Sequence, residues 1–378
     1  MKIAIDARMY GAKQTTGIGQ YIQKLTDQLF LIDKENQYIM FMREPEYSLF
    51  KPPANVKKVL VTPRWYTYQE QLLLPFQFAK EKFDLIHYPH FNSPILFNKK
   101  SVCTIHDVTP CYFKGHKMKS KFRQWSYNKV FRHTVSHSSK IITVSNSTKM
   151  GVIDIFQTPE NKIKTVYNGV DNRFIFNDNY GIINKVKDKY GINSPFIFYV
   201  GVWRNHKNLE GLISAYEILK EKYNIKENLV LAGQEDLNYP NIRKKIENSK
   251  YKDSIITPGF IENDDLAALY SSAATLVIPS FIEGFGLIGI EAQKCGCPVV
   301  SSNTTSLPEV LGDSALFFDP NNHSEMAEQI HKVITDPISK RIVVEKGIKN
   351  ADRFSWKKCA EETLEIYKKT EEHTDKRT

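Results

Sequence analysis

Short apolar runs alternate with amphipathic stretches along this chain, and the alternation passes through two successive series. KIAIDA (2–7), YIMFM (38–42), KKVLV (57–61), DLIHY (84–88), SVCTIHD (101–107) and KIITVS (140–145) read as strands. GQYIQKLTDQLFLID (19–33), TYQEQLLLPFQFAKE (67–81) and KFRQWSYNKVFRHTVSHS (121–138) read as helices between several of them. The rhythm restarts at PFIFYVG (195–201) and continues through NLVLAG (228–233), SIITPGF (254–260), ATLVIPS (274–280), CPVVSS (297–302) and ALFFDP (315–320). Near-continuous apolar strands separated by helices belong to parallel sheets covered on both faces. The expected class is therefore α/β, with two doubly wound domains, and 378 residues also exceed what one core comfortably serves. The Asn-, Asp- and Gly-rich stretch 167–185 is the expected connection, and FSWKKCAEETLEIYKKTEE (354–372) reads as a closing amphipathic helix. The resulting division is 1–175, 176–353, and 354–378 for that helix and its tail.

Charge is unevenly spread over this scaffold. Residues 1–171 hold 25 Lys+Arg against 13 Asp+Glu, whereas the remainder holds 27 against 29. Between Asp107 and Asp154 there is no acid but nine bases: Lys114, Lys117, Lys119, Lys121, Arg123, Lys129, Arg132, Lys140 and Lys149. Tyr112, Phe113, Phe122, Trp125, Tyr127 and Phe131 are interleaved with them. Residues 114–140 thus read either as a solvated helix face with its aromatics turned inward or as a surface for an anionic membrane. No nucleic-acid module accompanies the charge, so no nucleic-acid partner is expected. The five cysteines lie mostly in apolar runs, which suits buried thiols in a reducing compartment. Asp6 interrupts the N-terminal apolar run and no run approaches the ~20 residues of a membrane span. The expected location is cytoplasmic, extending to peripheral attachment at the inner face of the cytoplasmic membrane.

In doubly wound sheets ligands sit beyond the carboxyl ends of the strands, so motifs placed there carry weight. TTGIGQYI (15–22) sets Gly17 and Gly19 between the first strand and a helix, where bare N–H groups could receive a phosphate. It lacks a complete dinucleotide fingerprint, and a flexible loop is the competing reading. HYPHFNSP (87–94) and CTIHDVTP (103–110) place His87, His90, His106 and Asp107 after two strands, at spacings that fit no zinc pattern. His106 with Asp107 suits either a polar contact to a sugar or a local cap. GVWRNHKNL (201–209) puts Arg204 and Lys207 in the turn before a helix, an arrangement suited to a diphosphate or to a solvated turn.

The last motif is FIEGFGLIGIEAQKCG (281–296). Glu283 falls in the turn after a buried strand and Glu291 about two turns into the following helix at ~3.6 residues per turn. Gly284 and Gly286 allow close backbone approach at that helix's N-terminus. Two carboxylates so placed could serve as an acid/base pair, hold a metal, or grip hydroxyls.

The ordered set TGIGQYI, TIHDVTP, YNGVD, GVWRNHKNL and EGFGLIGIE, an E-x7-E motif, resembles the retaining, GT-B-fold glycosyltransferases of family four, from about residue 1 to 367. The likeness is nearest to bacterial mannosyltransferases that build O-antigen, capsule or lipopolysaccharide. The resemblance implies two Rossmann-like domains facing a cleft, the first for acceptor and the second for nucleotide sugar, with the C-terminal helix crossing back to the first. It implies that Gly17 and Gly19 line that cleft, and that His106, supported by Asp107, meets a donor-sugar hydroxyl. Arg204 and Lys207 would face the diphosphate, and Glu283 would bind sugar hydroxyls. Glu291 would hold the ribose, and the Gly284, Phe285, Gly286 and Leu287 backbone would meet sugar or phosphate. Val202 and His206 stand where many relatives carry an Arg, which places Arg204 in doubt more than Lys207.

The implied enzyme is a hexosyltransferase that moves mannose from GDP-mannose, with retention and without a metal or other cofactor, to a glycan or polyprenyl-linked acceptor. A UDP-sugar donor, a sugar-nucleotide 2-epimerase of the same architecture, a glycoside hydrolase and a non-catalytic partner are the rival readings. A hydrolase would also use two carboxylates but leaves the phosphate-suited turns without purpose.

Overall fold

The computed structural model describes residues 1–11, 17–113 and 120–375, with side chains to 371. The chain forms two compact units, one made of 1–169 and 355–378, the other of 170–354. Residues 170–175 therefore belong with the second unit, where the Phe174 ring meets Tyr270 edge-on and Arg173 pairs with Asp264.

The first unit is built on seven parallel strands: β1 (Lys2–Asp6), β2 (Gln37–Met42), β3 (Val56–Leu60), β4 (Leu85–Tyr88), β5 (Ser101–Ile105), β6 (Lys140–Thr143) and β7 (Ile163–Thr165). Their order is β3-β2-β1-β4-β5-β6-β7, so the winding direction reverses between β1 and β4. β7 is three residues, IKT in sequence, too short for a periodicity argument to find. The helix Gly17–Ile32 buries Tyr21, Ile22, Leu25 and Leu29, an i, i+4, i+8 stripe, against the sheet.

Against that helix lies the C-terminal helix Trp356–Asp375, whose Trp356, Cys359, Ala360 and Tyr367 join the same core. Tyr367 OH and His87 Nδ1 are 2.6 Å apart inside it, with His87 Nε2 2.8 Å from the Thr104 hydroxyl. Burial lowers the pKa of His87 to about 3, so the imidazole is neutral and serves as a structural bridge. The chain thus returns to the first unit after completing the second, as the resemblance implied.

The second unit carries β8 (Phe196–Val200), β9 (Asn228–Ala232), β10 (Ile255–Gly259), β11 (Thr275–Ile278), β12 (Val299–Ser302) and β13 (Leu316–Phe318). All pairs are parallel in the order β10-β9-β8-β11-β12-β13, and here the reversal falls between β8 and β11. β8, β11 and β12 are buried almost throughout, which is why they read as unbroken apolar runs. Both units therefore present a crevice at one strand pair, beyond β1/β4 and beyond β8/β11. Among the described residues no helix is long and apolar enough to cross a membrane.

Candidate active site

In the second unit the loops leaving β8 and β11 are brought side by side by the strand reversal. The first forms the short 3-10 turn Asn205–Lys207, and the second is the segment 279–286 that precedes the helix Leu287–Lys294. Phe281 N–H donates to the His206 carbonyl at 2.8 Å, and the Asn208 amide donates to the Pro279 and Pro320 carbonyls. These bonds join segments distant in sequence, and Lys207 Nζ reaches Glu283 Oε1, 76 positions away, at 2.6 Å. Ser280 Oγ donates to the same oxygen at 2.7 Å, while Glu283 N–H donates to Thr305 Oγ1. Ser306 Oγ completes the clamp on the Glu283 carbonyl at 2.9 Å.

Electrostatics then separate the two glutamates. Burial pushes the Glu283 carboxyl up, but the Lys207 charge and the bonds from Lys207 and Ser280 outweigh it and hold the group below its ordinary range. Glu283 is thus an anion at neutral pH, fit to accept hydroxyl hydrogens and unfit to be a general acid. Glu291 lies opposite Tyr270, whose hydroxyl donates to Oε2 at 3.3 Å. Burial and the nearby Asp171 push this carboxyl up to about 7, against the opposing effects of Tyr270 and Arg173. His206, buried beside Lys207, is pushed down to about 4 and remains neutral.

Gly286 stands at φ +93, the left-handed region, and turns the chain into the helix Leu287–Lys294. Phe285 is buried edge-on to Phe354, so its ring serves packing. Arg204 is half exposed and has Asp236 at 3.5 Å, whereas Lys207 is paired with Glu283.

In the first unit His106 follows β5, and its Nε2–H donates to the Pro89 carbonyl at 2.8 Å. Only Nδ1 is left to meet a ligand. Burial lowers its pKa, opposed by that bond and by Asp107. Asp107 Oδ1 accepts from Thr109 N–H at 2.8 Å, so the aspartate caps the next turn and acts on His106 through its charge. Gly17 opens its helix and is exposed; Gly19 is buried one turn in. Residues 12–16 of the same loop lie outside the described ones.

Beside these sits a group that motif spacing does not single out. Arg8, after β1, makes a two-pronged contact with Asp6 (Nε to Oδ1 and Nη2 to Oδ2, each 2.7 Å), and Nη2 also reaches Glu70 Oε1 at 2.6 Å. Asn92 Nδ2 donates to that same oxygen, and Tyr66 N–H to the other. A lone Arg between apolar residues gives little warning of this; the signal was IDAR itself, a charge pair directly at a strand end.

Comparison with known proteins agrees with the geometry. A family model described as Glycosyltransferase Family 4 matches residues 31–174, and one described as Glycosyl transferases group 1 matches 183–350. The O-antigen chain mannosyltransferase B of Escherichia coli is 30% identical over 285 residues, covering 75% of this chain and 74% of that one. The chain belongs to the family 4 glycosyltransferases.

Among relatives of this glycosyltransferase, the O-antigen chain mannosyltransferase RfbU of Salmonella typhimurium is 25% identical across 87% of this chain and 90% of its own. The fold matches the Anabaena protein HepE, solved in complex with UDP and glucose, with TM-score 0.74 and 17% identity over 98% of this chain and all of that one. The GT-B fold expected from the motifs is the fold of this glycosyltransferase.

Part of the basic stretch is also visible. Lys114, Lys117 and Lys119 lie outside the described residues, while the helix Lys121–His137 turns Phe131 inward and leaves Phe122 and Trp125 exposed, stacked at 5.9 Å. Lys129 Nζ lies 4.9 Å from the Trp125 ring. The reading with all aromatics turned inward does not hold for these two, which are exposed.

Proposed function

We propose that the protein transfers a hexose, mannose in the favoured case, from a nucleotide diphosphate sugar to a growing, lipid-linked cell-surface glycan with retention of configuration. The observation carrying this reading is the 2.6 Å Lys207–Glu283 pair, set at the strand reversal of the second unit directly before the glycine turn. Glu283, kept ionised, accepts hydroxyls of the transferred sugar, and Glu291 accepts those of the ribose. Lys207, with Arg204 near it, faces the diphosphate, and the N–H groups at Leu287 add the positive end of a helix. In the transfer the bond from anomeric carbon to phosphate oxygen breaks as the bond to the acceptor oxygen forms. The acceptor proton passes to the leaving phosphate on the same face. Lys207 stabilises the charge that grows on that phosphate.

The names of the mannosyltransferase relatives support mannose, hence GDP-mannose; the UDP in HepE supports the alternative donor. No metal or further cofactor enters this reading. The exposed Phe122 and Trp125 beside Lys121, Arg123 and Lys129 support attachment of the 114–140 stretch to an anionic membrane. The full chain, given GDP-mannose or UDP-glucose together with bacterial lipid extract, should release the nucleoside diphosphate from one donor, and NMR of the product should show the donor's anomeric configuration. Release from neither donor rejects the reading.

A further inference from the structure

The first unit holds a cavity at its own strand reversal that the donor chemistry does not use. Its walls include Asp6 and Arg8 after β1, His90 and Asn92 after β4, and the Trp65 ring. Arg8 is 5% exposed, and three of its contacts go to Asp6 and Glu70, yet Nη1 is buried without a partner among the described residues. His90 Nδ1 is buried and unpartnered in the same way, while its Nε2 lies 3.2 Å from the Tyr66 hydroxyl. Two orphaned polar atoms thus belong to residues that line one cavity, in a protein interior where such atoms are normally paired.

Size and charge decide what could pair them. The cavity measures about 10 Å³, room for one oxygen-sized group and too little for a phosphate. The guanidinium is already matched by two carboxylates, so an added anion would meet a local excess of negative charge. A hydroxyl meets both demands, because it accepts from Arg8 Nη1–H and can either donate to or accept from His90 Nδ1. Burial keeps His90 neutral, at a pKa of about 3, so one ring nitrogen carries a hydrogen and the other accepts, and a hydroxyl can serve Nδ1 in either tautomer. Glu70 fixes the wall as well as the guanidinium: its Oε2 holds Tyr66 N–H at 2.8 Å, with Tyr66 at φ +62, and so sets the loop that carries Trp65. Trp65 is partly buried, lines the cavity wall, and has the Arg43 and Arg64 guanidinium groups over its ring at 5.7 and 5.4 Å.

We propose that this cavity is a sugar-hydroxyl subsite for the acceptor, in which one hydroxyl of the acceptor's terminal residue bridges Arg8 Nη1 and His90 Nδ1 while its ring rests against Trp65. The proposal rests on the transferase reading, and it names the group that sets acceptor choice within it. A site built to pair a hydroxyl rejects the analogue lacking it, since both buried partners are then left unmatched.

The test titrates the full chain with methyl α-D-mannopyranoside and its four monodeoxy derivatives by ligand-observed NMR. GDP binding is followed separately by thermal shift, as a check on the donor unit and on folding. The wild-type protein is expected to bind one deoxy derivative about tenfold or more weakly than the parent. Trp65→Ala should weaken all five, and His90→Ala or Arg8→Lys should erase the discrimination, with the GDP shift unchanged. Arg8 is deeply buried, so His90→Ala and Trp65→Ala decide the matter if Arg8→Lys does not fold. Equal binding of all derivatives, discrimination that survives His90→Ala, or failure of the parent glycoside to bind at tens of millimolar overturns the subsite. Loss of GDP binding in the wild type instead overturns the donor reading and leaves the hydroxyl result to stand by itself.

Discussion

Glu283 and Glu291 belong to one E-x7-E motif, yet their surroundings give them opposite protonation behaviour. Glu283 is held ionised by Lys207, and removing its charge should remove a contact that strengthens as the sugar becomes cationic. Glu283→Gln is expected to lower kcat/KM by about 10²-fold with the far-ultraviolet circular dichroism unchanged. A loss under threefold would place Glu283 outside the sugar site. For Glu291 the folded pKa is raised from 4.5 to about 7, so the native state binds more protons than the unfolded chain between those values. Its contribution to stability must fall as pH rises from about 4.5 to 7 and then level off. Urea midpoints of wild type and Glu291→Gln should diverge across that window, with the glutamine variant gaining. Nucleotide affinity should move the other way, rising through pH 7 in the wild type as the carboxylate forms and staying flat in Glu291→Gln. Parallel curves for the two proteins would show that the ribose contact is made elsewhere.

The turn 284–286 and the helix Leu287–Lys294 act as a unit. Gly286 holds φ +93, and a β-carbon there would come within 2.7 Å of the Leu307 side chain. Leu307 can shift, but the backbone conformation still costs an L-residue about 1–2 kcal/mol. Gly286→Ala should therefore lower the thermal midpoint by several degrees and weaken GDP binding more than stability, because the helix N-terminus is re-aimed. Unchanged GDP affinity would separate that helix from the diphosphate. The helix Lys121–His137 presents a different case, with apolar residues on two sides. Phe131 is buried in the core, whereas Phe122 and Trp125 are exposed. Replacing Phe122 and Trp125 together by Ser should cut binding to phosphatidylglycerol vesicles and leave thermal stability within about 1 °C, as expected for exposed positions. Equal vesicle binding would leave this face merely solvated.

Across the chain, the two units depend on a connection made twice, at 169/170 and at 354/355. Gly169 packs so close to the returning segment that a β-carbon would lie 2.1 Å from the Trp356 nitrogen. Tyr367 lies farther along the same helix, and Tyr367→Phe removes the hydroxyl 2.6 Å from His87 Nδ1. The orphaned imidazole should cost about 1–3 kcal/mol, read as a lower urea midpoint with an unaltered slope. No change would mean that helix packing by itself holds the segment. The fold class was legible because buried parallel strands must be apolar on both faces and helices must be so on one. That pattern survives in a linear string, as at ATLVIPS and PFIFYVG. So was the placement of Lys207, Glu283 and His106 after strand ends, and of Glu291 in the helix that follows, since ligands sit beyond those ends in a doubly wound sheet. Pairing was not legible. That Lys207 meets Glu283, and that Arg8 meets Glu70 with Asn92 on the same carboxylate, depends on the tertiary arrangement, in which strand order brings β8 beside β11 and β1 beside β4. Burial, and with it the opposite pKa shifts of the two glutamates, was settled in the same step. Charges interact through space and through the dielectric around them, and neither is a function of separation along the chain.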